Sequence, residues 1–179
     1  MKPSSLRQQT GVSLVDQMLT LGIVSLALGL ALPNFNSLSE RRSLEGAAGQ
    51  LESELQFARG LAVEENQAVR FTFESTPSGM CYIIHTGGPK DCHCATTAEA
   101  SCKPGTKVFR HARSDDKGLV SVQSNSRSFA FDPVGGTVTP TATMELRNRR
   151  GEALRLIVNI MGRIRSCSVN GEITGLPRC

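Results

Sequence analysis

The sequence predicts an α+β fold: one long N-terminal helix packed on antiparallel β-sheet, in one sheet or two. Two observations carry the prediction. An apolar run from Val12 to Leu32 leads into apolar residues at helical spacing from Leu44 to Ala62, and after Val69 the pattern changes to short extended runs separated by turn-rich stretches. At 179 residues the chain has room for one domain and an anchor. Its ordinary polarity excludes a wholly disordered chain.

Residues 1–11 hold Lys2 and Arg7 and no acid. That bias keeps the N-terminus on the cytoplasmic side of a membrane. Residues 12–33 are almost wholly apolar from Val12 to Leu32, which as a helix measures roughly 30 Å, about one hydrocarbon thickness. One carboxylate, Asp16, lies inside this run. A cleaved secretory signal, cut near Gly29-Leu30-Ala31, is the competing reading. The run is long for such a signal, Pro33 closely follows the cut, and the apolar pattern does not stop there.

Residues 34–68 continue as an amphipathic helix. Leu44, Ala48, Leu51, Leu55, Ala58 and Ala62 step by fours and threes along one stripe, with Glu45, Glu52, Glu54 and Arg59 off it. The two halves therefore form one helix, with Pro33 as a kink rather than a stop. Gly46, Gly49 and Gly60 weaken the second half or permit close packing.

Residues 69–179 form a β-rich domain. "VRFTF", "MCYII", "KVFRH", "LVSV", "RSFAF", "TMELRN" and "ALRLIVNI" read as strands, divided by "TPSG", "TGGPKD" and "DPVGG". Residues 86–106 are the longest irregular segment and need a staple. The cysteines are six: Cys81, Cys92, Cys94, Cys102, Cys167 and Cys179. In an exported domain they pair as disulfides, and fifteen pairings are open. The isolated pair Cys167 and Cys179 would close a short C-terminal loop. Zinc on "CHC" with Cys102 and His111 is the alternative, disfavoured by the tight C-x-C spacing.

Here the residues carry a resemblance. "GVSLVDQMLTLGIVSLALGLALP" resembles the N-terminal signature of type IV pilins and pseudopilins, with Val12 where Phe is usual and Asp16 where Glu is usual. "LESELQFARGLAVEENQAVRFTF" is similar to the FimT/GspH branch of minor pilins. The resemblance implies a type IV pilin-like fold and a prepilin peptidase cut between Gly11 and Val12, with methylation of the new N-terminus. Residues 1–11 are then a leader, and the apolar helix stays on the mature protein. A lone carboxylate at membrane depth costs several kcal/mol unless paired. In a filament, Asp16 can neutralise the Val12 ammonium of a neighbouring subunit, which favours docking and sets register. Snorkelling of Asp16 to the nearby interface is the simpler alternative. The implied location is the bacterial inner membrane, single-pass, then the periplasm and the extracellular pilus.

The charge is uneven. Residues 34–76 carry four Arg against seven Glu, whereas residues 140–179 carry seven Arg against three Glu and no Lys. Arg is the better phosphate fork. If residues 163–165 are extended, Arg163 and Arg165 project to one side about 6.5 Å apart, near the spacing of successive phosphates. Gly162 allows close approach of the backbone to a partner and an unusual turn into the segment, and a Cys167–Cys179 bridge would bring Arg178 back beside the pair. Arg147, Arg149, Arg150 and Arg155 extend the patch if their strands lie alongside. The G-R-x-R arrangement resembles a C-terminal motif of FimT-type minor pilins, which implies that Gly162, Arg163 and Arg165 bind double-stranded DNA without sequence preference during natural transformation. Arginines bridged within the fold are the competing reading.

Seven Phe, one Tyr and no Trp argue against a stacking platform for single strands. His85, His93 and His111 are scattered, and Asp115-Asp116 sits in a polar turn. No phosphate loop, nucleophile elbow or HExxH motif is present. No enzyme and no cofactor are expected; the expected partners are DNA, other major and minor pilins, prepilin peptidase and the inner membrane. The rival function is a structural minor pilin or pseudopilin that primes assembly in a pilus or a type II secretion system.

Overall fold

The computed structural model describes the backbone of residues 13–76, 79–95, 100–114 and 119–179, with side chains 30–36, 76, 79 and 114 left aside. Gly11, Val12 and the Asp115-Asp116 turn lie outside these. A single helix, α1, runs Leu14–Glu64. The chain divides into two compact units, residues 1–39 and residues 40–179.

In the first unit α1 presents its apolar side chains outward, Leu14, Val15, Leu21 and Leu26 each about two-thirds or more exposed. Asp16 stands in the first turn. The hydroxyls in this stretch are turned back on the helix, Thr20 donating to Gln17 O at 3.0 Å and Ser25 to Leu21 O at 2.7 Å. That is how a hydroxyl is satisfied on an apolar helix. The expected span of residues 12–33 passes the described side chains at both ends. Among the described residues no helix is long and apolar enough to cross a membrane.

In the second unit the predicted stripe is the inner face of α1: Leu44, Leu51, Leu55, Ala58 and Ala62 are fully buried. Two of the off-stripe residues nevertheless reach other parts of the domain. Glu54 is 8% exposed and takes Arg110 Nη1 at 2.8 Å, while the Arg110 guanidinium lies 4.2 Å over the Phe57 ring. A buried carboxylate needs such a partner. Arg59 is half-buried and reaches a turn described below. After Glu64 the chain turns through Asn66, at φ +48°, into the first strand.

The strands are β1 (Val69–Thr76), β2 (Gly79–His85), β3 (Cys92–Cys94), β4 (Ala100–Cys102), β5 (Val108–Ser114), β6 (Val120–Ser124), β7 (Ser128–Phe131), β8 (Val138–Thr139), β9 (Ala142–Asn148), β10 (Ala153–Val158) and β11 (Ile164–Ser168). They form a sheet β5-β2-β1-β7-β8, a sheet β11-β10-β9-β6 and the hairpin β3-β4; every strand pairing within them is antiparallel. One core joins the α1 stripe to the inner faces of both larger sheets, through Phe71, Tyr82, Phe129, Phe131, Met144 and Leu156 among others. The rings of Phe71, Tyr82 and Phe129 stack there at 5.3 and 5.4 Å.

The segment 86–106, expected to be irregular, contains the β3-β4 hairpin. Three-residue strands cannot hold register by packing alone. Here Cys92 faces Cys102 across the pair and is bonded to it, and Cys94 is bonded to Cys81 on β2. Because β2 alternates, Tyr82 and Ile84 enter the main core while Cys81 and Ile83 join Cys92 in a second cluster on the opposite face. The hairpin thus covers that face. Cys167 is bonded to Cys179, so all six cysteines are paired. Among the described residues no cluster is arranged to hold a metal ion.

Candidate nucleic-acid interface

The C-terminal arginines are positioned by the β10–β11 hairpin. Leu154 to Val158 pair with Ser168 to Ile164, which leaves residues 159–163 as the turn. Asn159 closes it from both sides. Its amide donates to Arg163 O at 3.1 Å, its carbonyl accepts from Gly162 N at 2.9 Å, and its side-chain oxygen accepts from Arg163 N at 2.9 Å. Beyond the turn, alternation buries Ile164 and exposes Arg165, and Arg163 is exposed as well. In extended chain, residues two apart share a face about 6.5 Å apart. β11 is an edge strand of its sheet.

Gly162 is buried, with φ +70°. A β-carbon there would overlap Gly136 O and lie 3.0 Å from Arg59 Nε. The close approach expected of this glycine is therefore to the β7–β8 turn of its own chain. Val138 N donates to Ile160 O at 2.9 Å in the same contact, and Arg59 Nε donates to Gly136 O at 3.3 Å. Helix, β7–β8 turn and β10–β11 turn meet at one carbonyl. Arg59 was not legible as part of this site, because a lone Arg off a helical stripe carries no signal of what it reaches.

Arg178 comes back to the sheet as its disulfide requires. Ser168 N donates to Pro177 O at 2.8 Å, Cys179 N donates to Ser168 O at 3.1 Å, and Ser168 and Arg178 form a parallel bridge. Bridge partners point to the same side, so Arg178 takes the side of Ser168, opposite to Arg165 and Cys167. Its Cγ and Cδ lie beside Gly171. The bridge returns Arg178 to the edge without aligning it with Arg163 and Arg165.

The other arginines divide by partner. Glu145 on β9 takes Arg147 Nη2 at 2.6 Å and Arg155 Nη2 at 2.8 Å. The bonds from Arg155 and then Arg147 hold its carboxyl below the usual glutamate range. These two arginines share the outward face with Arg165 through the register Arg155↔Cys167 and Ile157↔Arg165, but one carboxylate already offsets them. Among the described residues no ion pair involves Arg163, Arg165 or Arg178. Arg163, at the end of the turn, and Arg165, on the edge strand β11, are both exposed. Nothing in this arrangement resembles a catalytic set.

A family model described as Type II transport protein GspH matches residues 47–162. The crystal structure of the type IV minor pilin FimU from Pseudomonas aeruginosa strain PAO1 is similar, with a TM-score of 0.51 and 20% identity over 72% of this chain and 90% of that one. No curated protein matches the chain. The chain belongs to the GspH family; it is a type IV minor pilin or pseudopilin of the FimT/GspH kind with the type IV pilin-like α+β fold. The family match ends at Gly162, so Arg163, Arg165 and Arg178 lie beyond it.

Proposed function

We propose that this minor pilin holds extracellular double-stranded DNA through Arg163 and Arg165 and serves DNA uptake during natural transformation. The observation that carries the reading is a contrast around one sheet: Arg147 and Arg155 are occupied by Glu145, whereas Arg163 and Arg165 are exposed and, among the described residues, take part in no ion pair. An exposed guanidinium pair forks onto phosphate oxygens and reads no sequence. Gly162 serves by shaping the turn, and Arg178 adds charge from the other side of the edge. A grip on two to four phosphates gives a fall in log K of roughly two to four per tenfold salt.

The N-terminal chemistry belongs to the same proposal. Prepilin peptidase cuts between Gly11 and Val12, Val12 is methylated, and the apolar helix anchors the subunit in the inner membrane before assembly. Asp16 then meets the Val12 amine of a neighbouring pilin. Mass spectrometry of the mature chain tests this, since a product beginning after Ala31 overturns it.

The structural reading, a subunit that primes a pilus or a type II secretion filament without touching DNA, draws on the family description and on a match that stops before the arginines. A gel-shift series separates the two. Residues 40–179, a compact unit holding the three disulfides, should retard duplex DNA at low salt. Arg163→Ala with Arg165→Ala should abolish most of the retardation while leaving the urea transition in place. Equal retardation by the double variant removes the pair from the mechanism.

A further inference from the structure

Next to the arginine pair the hairpin ends in two apolar residues that no packing requirement explains. Ile160 and Met161 are 63% and 64% exposed, although most of the chain's other β-domain apolar residues of that size are buried. Loop tips are ordinarily polar. This one is also rigid, fixed by Val138 N on Ile160 O, by the three Asn159 bonds and by the close packing of Gly162 on Gly136. The neighbouring turn carries Val134, 91% exposed, and its acid, Asp132, has Oδ1 folded back on Val134 N at 2.9 Å.

We propose that the Ile160–Met161 tip is an apolar wedge that enters the minor groove of the duplex held by Arg163 and Arg165 and opens a base step. The inference rests on the DNA-binding reading above and names how the duplex is engaged. Met161 is two residues from Arg163, so a phosphate strand lying on the pair brings the tip to the groove beside it. The minor groove is about 6 Å wide, room for an apolar side chain inserted from the tip. Ile and Met are wedge residues of this kind, which unstack a step and kink the duplex. Among the described residues the aromatic rings that would favour single strands lie in the core or packed against it. Two exposed cations two residues apart suit one strand of a polymer better than a field of lipid headgroups. The wedge supplies what two arginines cannot, a salt-independent part of the affinity and a preference for flexible pyrimidine–purine steps.

The test uses the full chain in nonionic detergent with duplexes carrying 2-aminopurine beside a single TA step. Binding of the unaltered chain should raise the 2-aminopurine fluorescence. Ile160→Ser with Met161→Ser should weaken binding about tenfold at every salt concentration, leave the salt slope unchanged and abolish the rise. Ile160→Leu with Met161→Leu, which keeps the tip apolar, should restore both. The inference is overturned if the unaltered chain binds with no fluorescence change, or if the serine variant binds as tightly as the parent. Normal DNA binding by the serine variant together with lost pilus assembly would assign the tip to a protein contact. Undiminished binding by Arg163→Ala with Arg165→Ala overturns the underlying reading instead, whatever the tip does.

Discussion

Replacing Gly162 by Ala tests the packing that holds the basic hairpin. At φ +70° the added methyl group incurs the left-handed penalty of about 1–2 kcal/mol. It also overlaps the Gly136 carbonyl, a backbone atom held by Arg59, so relief requires the two turns to separate at about 1–3 kcal/mol more. The sum, about 2–5 kcal/mol, is a large part of a domain's stability. With a urea dependence of about 1–3 kcal/mol per molar, the midpoint of the 40–179 unit should fall by at least about 0.7 M. Gly151→Ala is the control, because Gly151 has φ +86° but nothing within 4 Å of its β-carbon position. It should show the conformational penalty alone. Equal losses in the two variants would refute the argument that Gly162 is a packing residue.

Two further outcomes follow from the same sheet. Cys167→Ser with Cys179→Ser opens a loop with a sequence separation of 12 and should cost about 3 kcal/mol in urea denaturation. Its DNA retardation should change little, since Arg178 lies on the other side of the edge. Glu145→Gln should tighten DNA binding and steepen the salt slope by about one to two, because Arg147 and Arg155 lose the carboxylate that offsets them. The folded state holds the Glu145 carboxyl below its unfolded range, so its contribution is present above that range and is lost as pH falls through the depressed value. The variant should therefore have a flatter stability profile below about pH 4, measured by urea midpoint against pH.

The helix and most strands were legible because their signal is local. The α1 stripe needs only a 3.6-residue period, and the seven predicted strands alternate or run apolar. β3 and β4 were missed because "CHC" and "ASC" have no apolar period, and disulfides rather than side-chain packing set their register. β8 has only two residues before Pro140. β11, "IRSCS", was conditional in the sequence because three of its five residues are polar or charged. At the candidate site the alternation that buries Ile164 and exposes Arg165 is local. The burial of Gly162 against Gly136, the reach of Arg59 and the neutralisation of Arg147 and Arg155 by Glu145 are long-range contacts that no local window contains.

The strap formed by Pro177–Cys179 lies along the outer rim of β11 near Ser168. An uncovered rim is a template for strand addition by another copy, and nature blunts such rims with a cover or with charge. This chain uses both devices on one strand, the oxidised strap at one end and two cations at the other. A newly exported chain whose last thiols are still reduced has only the cations, so its resistance to clumping before oxidation depends on the same arginines proposed to hold DNA.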